Sequence, residues 1–281
     1  MPDIACLNGT VQPLENARVS VNDRGFLFGD GVYEVVRTYD GAPFRLEEHL
    51  DRLLHSLEQI RLIPDWERQT LKGWIAEALE RAGYREAKVY VQVTRGAAPR
   101  NHPFPAVPPT TLITVTEVHP LAEDLVKRGA RAITTPDIRW GRCDIKSLNL
   151  LPNVMARQAA LDAGAFEALF VTGDGEIREG SSSNVFLVRG GELLTPALGP
   201  GLLAGVSRAY LIELIHHVGL KVTEGRLDRD TLDRADEVFL SGTTIEVLPV
   251  VTIDGKPVGG GAPGPVTRRL QAAFRPTTGG D

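Results

Sequence analysis

The stretch Asp137–Gln158 reads DIRWGRCDIKSLNLLPNVMARQ, and the interpretation of the whole chain turns on it. Lys146 stands at its centre, between Ile145 and the run Ser147-Leu148-Asn149-Leu150-Leu151, with Arg139, Arg142 and Asp144 just upstream. Apolar residues at 145, 148, 150 and 151 are expected to take part of the lysine stem out of water. Desolvation and nearby guanidinium groups both disfavour an ammonium ion. They raise the share of free amine, the form that attacks a carbonyl to make an imine. The same pattern also suits a structural lysine paired with Asp144 or another carboxylate, since ion-pair networks perturb lysines too. Taken alone, the stretch leaves both readings open.

Composition narrows the field around it. A chain of 281 residues suggests about two domains at ~150 residues each. Hydrophobic residues at 42% and charged residues at 24% belong to a soluble globular protein with ample core material. The net charge of −5, with no block of like charges, offers no basic surface to nucleic acid. No apolar run approaches the ~20 residues of a membrane span. The start, MPDIACLNGT, lacks the basic-then-apolar pattern of a signal peptide. Cys6 and Cys143 form no CxxC pair, so a reduced, cytoplasmic protein is expected. The six histidines show no metal-ligand spacing, and no metal is expected.

Along the chain, Asn8-Gly9 predicts a hairpin turn within residues 4–14, and Asp40-Gly41 another after a strand over 32–39. Leucines at 46, 50, 53, 54 and 57 with Ile60 predict an amphipathic helix, followed by a second over 65–82 that stops at Gly83. Strands are expected over 87–94 and 111–118, flanking a proline-dense loop at 95–109. Residues 119–125 read as a link between a smaller domain, 1–118, and a larger one, 126–281, that carries Lys146. In the second domain, helices are expected over 153–163 and from Gly205, and strands over 167–172, 185–188, 192–195 and 236–240. Gly205-Val206-Ser207 and Gly242-Thr243-Thr244 both read as Gly-hydroxyl segments with unpaired backbone N–H groups, suited either to a phosphate or to simple capping. The tail after Phe274 is expected to fray.

DIRWGRCDIKSLNLL resembles the lysine segment of the fold-type IV pyridoxal-phosphate aminotransferases, and among them the D-amino acid aminotransferases (D-alanine transaminases). DRGFLFGDGVYEVVR at 23–37, VQVTRGAAPRNHPFP at 91–105 and EGSSSNVF at 179–186 are similar to the same family in the same order. The likeness runs from about residue 4 to about residue 274. It implies a two-domain α+β and α/β chain of fold type IV that binds pyridoxal 5′-phosphate.

The resemblance also implies roles, residue by residue. Lys146 matches the imine-forming lysine, and Glu179 the carboxylate that pairs with the pyridine nitrogen. Arg52, Val206, Ser207 and Thr243 match the phosphate site, where the family more often has threonine in place of Ser207. Ser182 matches a serine that hydrogen-bonds near the cofactor, and Leu203 a leucine packed on its ring. Tyr33, Arg100 and His102 match a trap for the substrate carboxylate, the last two reaching across a homodimer interface. The reaction so implied moves an amino group between D-amino acids and 2-oxo acids, D-alanine and 2-oxoglutarate giving pyruvate and D-glutamate. Branched-chain L-aminotransferases, (R)-amine transaminases and aminodeoxychorismate lyases of the same fold are the alternatives.

Overall fold

The computed structural model describes residues 2–274; the expected fraying of the tail lies outside them. Two compact units emerge, one of Met1–His119 with Ile145–Asn149, the other of Pro120–Asp144 with Leu150–Asp281. This corrects the linear expectation in one respect. Lys146 packs with the first unit, although the chain around it belongs to the second. No helix among the described residues is long and apolar enough to cross a membrane.

The first unit contains β1 (Ile4–Leu7), β2 (Thr10–Pro13), α1 (Arg24–Phe28), β3 (Gly31–Tyr39), β4 (Ala42–Pro43), α2 (Leu46–Gln59), α3 (Arg68–Ala82), β5 (Ala87–Thr94) and β6 (Thr110–Glu117). Its antiparallel six-stranded sheet has the order β2-β1-β6-β5-β3-β4. Asn8 and Gly9 take positive φ at the first hairpin, as the dipeptide predicts. Strand alternation turns Val32 and Val36 of β3, and Val89, Val91 and Val93 of β5, into one core with Leu50, Leu53 and Leu57 of α2 and Ile75 of α3. The second helix starts at Arg68, later than expected, because Pro64 and the turn after it delay it. Gly83 closes it with φ +69°.

The second unit contains α4 (Glu123–Arg128), β7 (Ala130–Pro136), α5 (Leu151–Asp162), β8 (Glu167–Val171), β9 (Glu176–Gly180), β10 (Asn184–Arg189), β11 (Glu192–Pro196), α6 (Val206–His217), β12 (Val222–Gly225), β13 (Leu227–Asp228), α7 (Arg229–Asp233), β14 (Glu237–Gly242), β15 (Glu246–Ile253), β16 (Lys256–Pro257) and α8 (Pro265–Phe274). Its ten-stranded sheet is mixed, running β12-β11-β10-β14-β15-β7-β8-β9-β13, with β16 on β15. Both faces are covered at its centre. Val185, Leu187, Val238 and Leu240 enter one cluster, while Phe186 and Phe239 meet Leu211 and Ile215 of α6 and Leu270 of α8 in another. Phe186 and Phe239 are register partners, and their rings stack 5.2 Å apart. Burial on both faces explains why β10 reads as a continuous apolar run rather than an alternating one. Neither β7 nor α8 is among the elements expected from sequence.

Candidate active site

In the first unit, residues 145–148 run beside the start of β3 as a short extended segment. Tyr33 N–H donates to the Lys146 carbonyl (3.0 Å), Leu148 N–H donates to the Gly31 carbonyl (3.0 Å), and Val32 bridges Ser147. Lys146 N–H donates to Ser56 Oγ on α2 at 3.2 Å. The lysine backbone is therefore fixed on both sides by regular structure. Ile145 and Ser147 alternate inward, and Lys146 extends its amine over the Tyr33 ring, 4.3 Å from the centroid. Among the described residues Lys146 makes no ion pair, and the Tyr33 hydroxyl makes no hydrogen bond. Both polar ends are left available for a ligand. Of the apolar residues expected to bury the lysine stem, Ile145 is buried but Leu151 is 70% exposed at the head of α5.

The flanking arginines also depart from expectation, since each is committed to carboxylates. Arg142 pairs with Asp144 at 2.8 Å. Arg139 grips Asp137 (2.8 Å) and Glu179 (2.5 Å), donates to the Gly201 carbonyl, and lies 4.2 Å from the Phe170 ring centroid. Burial opposes the charge on Arg139, but Asp137 and Glu179 outweigh it and raise its pKa. It remains a cation whose positive charge is answered locally.

The next turn of β3 carries an ionic cluster. Glu34 points into the core side of the sheet between Val32 and Val36, where an unpaired carboxylate would be prohibitive. Arg52 Nε and Nη2 bind its two oxygens at 2.6 and 2.9 Å, and His49 Nδ1 lies 2.8 Å from Oε2. His49 and Arg52 are three apart on α2 and share the face turned to β3. Burial alone would raise the Glu34 pKa; Arg52 and His49 together bring it down to about 2. Burial lowers the pKa of His49, which stays neutral against its anionic neighbour. Arg52, read from sequence as an ordinary helix arginine outside the resemblance, is thus held in one orientation by a fork-to-fork pair.

Arg100 and His102 lie exposed on the loop between β5 and β6. The loop is anchored where it leaves β5. Gly96 takes φ +89° where a Cβ would collide with the Pro108 carbonyl, so only glycine fits. Arg24 N–H donates to the Gly96 carbonyl at 2.9 Å, and Ala98 N–H to the Asn22 carbonyl at 3.1 Å.

In the second unit, Glu179 near the end of β9 is buried, and several donors converge on it. Besides Arg139, Asn184 Nδ2 donates at 3.1 Å and Leu203 N–H at 3.2 Å, while the same Asn184 amide donates to the Leu203 carbonyl. Asn184 lies in the motif EGSSSNVF, and its role was missed because an amide in a strand reads as ordinary polarity. The Ser182 hydroxyl donates to the carboxylate of Glu167 at 3.2 Å. Glu167, fully buried on β8, also takes the hydroxyls of Ser181 and Ser183 and organises the whole serine turn. In sequence it shows only as a carboxylate opening an apolar strand.

Val206 and Ser207 open α6, with Gly205 as N-cap and no side-chain cap bond. The first helical bond is Ala209 N–H to the Gly205 carbonyl, which leaves the N–H groups before it pointing out of the helix end. Such an end, carrying the positive pole of the helix dipole, receives anions. The Ser207 hydroxyl and the Thr243 hydroxyl engage no partner among the described residues. Thr243 occupies the turn between β14 and β15 rather than a helix start, which corrects the parallel drawn between the two Gly-hydroxyl segments. No group of three or more His, Cys, Asp or Glu among the described residues is placed to hold a metal.

Comparison with known proteins gives consistent results. The family model for amino-transferase class IV matches residues 31–253. The chain is 42% identical over 270 residues to a D-alanine aminotransferase of Bacillus licheniformis, covering 95% of this chain and 94% of the relative. It is 40% identical over 269 residues to a D-alanine aminotransferase of Staphylococcus epidermidis, covering 95% of each. Among solved structures, a T.th. branched-chain amino acid aminotransferase with pyridoxamine 5′-phosphate aligns with TM-score 0.90 at 33% identity, over 98% of this chain and 93% of the other. A branched-chain amino acid aminotransferase of Escherichia coli aligns with TM-score 0.90 at 29% identity, over 98% and 94%.

Proposed function

The chain belongs to the class IV aminotransferases, and we propose on that basis that it is a pyridoxal-5′-phosphate-dependent D-amino acid aminotransferase that converts D-alanine and 2-oxoglutarate to pyruvate and D-glutamate. The observation that carries this reading is the 42% identity to a D-alanine aminotransferase over nearly the whole chain. The donor chemistry fits the cofactor. Among the described residues Lys146 is an amine without an ion pair, Glu179 is a carboxylate held rigid, and α6 offers a helix end without a side-chain cap beside the Ser207 hydroxyl. When bound, pyridoxal phosphate supplies a carbonyl for the substrate amine and a ring that draws electron density from Cα.

The chain's own residues do the rest. Lys146 would hold the cofactor, and once displaced by the substrate amine would take the proton from Cα as a general base and return it as an acid. Glu179 would keep a proton on the ring nitrogen. Arg139 fixes that carboxylate in place, with Asn184 and the Leu203 N–H as further donors, so no reorganisation is needed as charge develops. Arg52, Val206, Ser207 and Thr243 would hold the phosphate, Leu203 would pack on the ring, and Ser182 would border it. Tyr33, Arg100 and His102 would take the substrate carboxylate. Arg100 and His102 would do so in the partner's site, which makes the active form a homodimer, working in the cytoplasm.

A second reading, branched-chain L-amino acid transamination, rests on the structural neighbours, which are branched-chain amino acid aminotransferases. Their lower identity, 33% and 29% against 42%, favours the D-amino acid reading. Initial rates with 2-oxoglutarate and matched D- and L-amino acids decide between them. D-Alanine should be the better alanine, and a preference for L-leucine or L-valine over every D-amino acid would replace this reading with the second.

A further inference from the structure

The short helix α1 carries two side chains that the proposed reaction does not use, and both turn toward the loop bearing Arg100 and His102. Arg24 is buried, an unusual state for an arginine on a five-residue helix. Its Nε pairs with Asp30 at 2.8 Å, and its two terminal nitrogens donate to three consecutive carbonyls, those of Asn101, His102 (3.1 Å) and Pro103 (3.5 Å). Asp30 is itself held by Arg95, whose guanidinium reaches the carbonyls of Ile60 and Arg61 at the end of α2. The loop backbone is therefore tied through one carboxylate to the helical layer of the first unit.

Phe28, the last residue of α1, adds a platform. Its ring centroid lies 5.0 Å from the Arg100 guanidinium carbon and 4.8 Å from that of Arg24, and 5.5 Å from the His102 ring. Two flexible, exposed side chains thus share one aromatic ring, whose negative face attracts the Arg100 guanidinium while the His102 ring packs against it at a tilt. Without such a surface, both would spread over many rotamers, and ordering them on binding would cost free energy.

We propose that Arg24 and Phe28 are positioning residues for substrate-carboxylate recognition. Arg24 sets the backbone of residues 101–103, and Phe28 gathers Arg100 and His102 into one preorganised pair. This rests on the reading that Arg100 and His102 bind the substrate carboxylate. Neither Arg24 nor Phe28 touches substrate; each acts through the loop.

The test is Phe28→Leu, which keeps apolar bulk and removes the ring, measured in the holoenzyme. KM for D-alanine should rise about fivefold, as expected of losing two cation–ring contacts, with kcat held within about twofold. The dissociation constant of the unreactive carboxylate propionate, read by calorimetry, should rise in parallel, and Phe28→Tyr should restore both. In an Arg100→Ala/His102→Ala background the same Phe28→Leu change should alter kcat/KM by less than about twofold, because its effect runs through those side chains. A full loss in that background, or a loss in kcat with KM unchanged, overturns the proposal. Should Phe28→Leu fail to fold, Arg24→Lys carries the same test, since it retains the Asp30 pair but cannot span three carbonyls. If the double substitution itself leaves KM for D-alanine unchanged, the carboxylate reading fails first. If it raises KM while Phe28→Leu does not, that reading stands and the platform falls.

Discussion

Lys146 shows how much of a residue's chemistry is set by what it is not bonded to. Lys72 is paired with Glu47 and Lys127 with Glu123, as surface lysines commonly are. Lys146 has no carboxylate partner among the described residues and rests against the face of Tyr33 instead. Its backbone, bonded to Tyr33 and Ser56, leaves the side chain little freedom to choose another direction. Borohydride treatment of the yellow holoenzyme should fix the cofactor on the peptide containing Lys146. Recovery of the label on Lys72, Lys88 or Lys127 would refute the assignment. Lys146→Ala should lower kcat by on the order of 10²–10⁴-fold, the usual contribution of a positioned acid–base group.

Among the elements, the start of α6 and the end of β9 are coupled through one side chain. Asn184 spans from Glu179 to Leu203, and its Oδ1 lies so close to Gly205 that a Cβ there would collide with it. Gly205 has ordinary backbone angles, φ −66° and ψ 130°, so its role is close approach rather than a left-handed turn. Gly205→Ala should therefore push Asn184 off Glu179 and tilt the uncapped helix end together. We expect cofactor affinity to fall about tenfold or more, the scale of ~1–3 kcal/mol for leaving a buried polar group unpaired. Equilibrium dialysis of cofactor against apoprotein measures it. Unchanged affinity would mean that Asn184 moves aside freely.

For the molecule as a whole, the Glu34 cluster links stability to acid. Glu34 has a folded pKa of about 2, below its ordinary value, and His49 is lowered as well. A lowered pKa means that the unfolded chain binds more protons in the window between the two values. Both groups thus stabilise the fold above their unfolded pKa values and lose that contribution as pH falls, His49 first, below about 6.5, then Glu34, below about 4.3. Glu34→Gln should cost about 3–5 kcal/mol near pH 7, because Arg52 keeps its charge and loses its partner. The gap between variant and wild type should persist from pH 7 down to about pH 4.3 and narrow from there toward pH 2 in thermal melts. A gap independent of pH would show that Glu34 contributes by packing alone.

Local pattern and local chemistry were enough to place most elements. The Asn8-Gly9 hairpin, the leucine stripe of α2, the Gly83 stop and β5 over 87–94 follow from turn preference and from periods of 3.6 and 2, properties that neighbouring residues settle among themselves. The motifs likewise marked Lys146 and Glu179. Other features depend on residues far apart in the chain, where adjacency misleads. Arg139 and Arg142 are neighbours of Lys146 in sequence, yet each answers a carboxylate, because a buried charge takes whichever partner the fold brings within hydrogen-bonding reach. Ser182 turns to Glu167, fifteen residues upstream, for the same reason. Lys146 joins the first unit only because residues 145–148 find unpaired backbone beside β3. Sequence determined which groups the protein owns and which short elements they form. Only tertiary structure decided which charges neutralise one another and that the Lys146 amine meets the face of Tyr33, since desolvation makes pairing compulsory and the fold alone sets who is near.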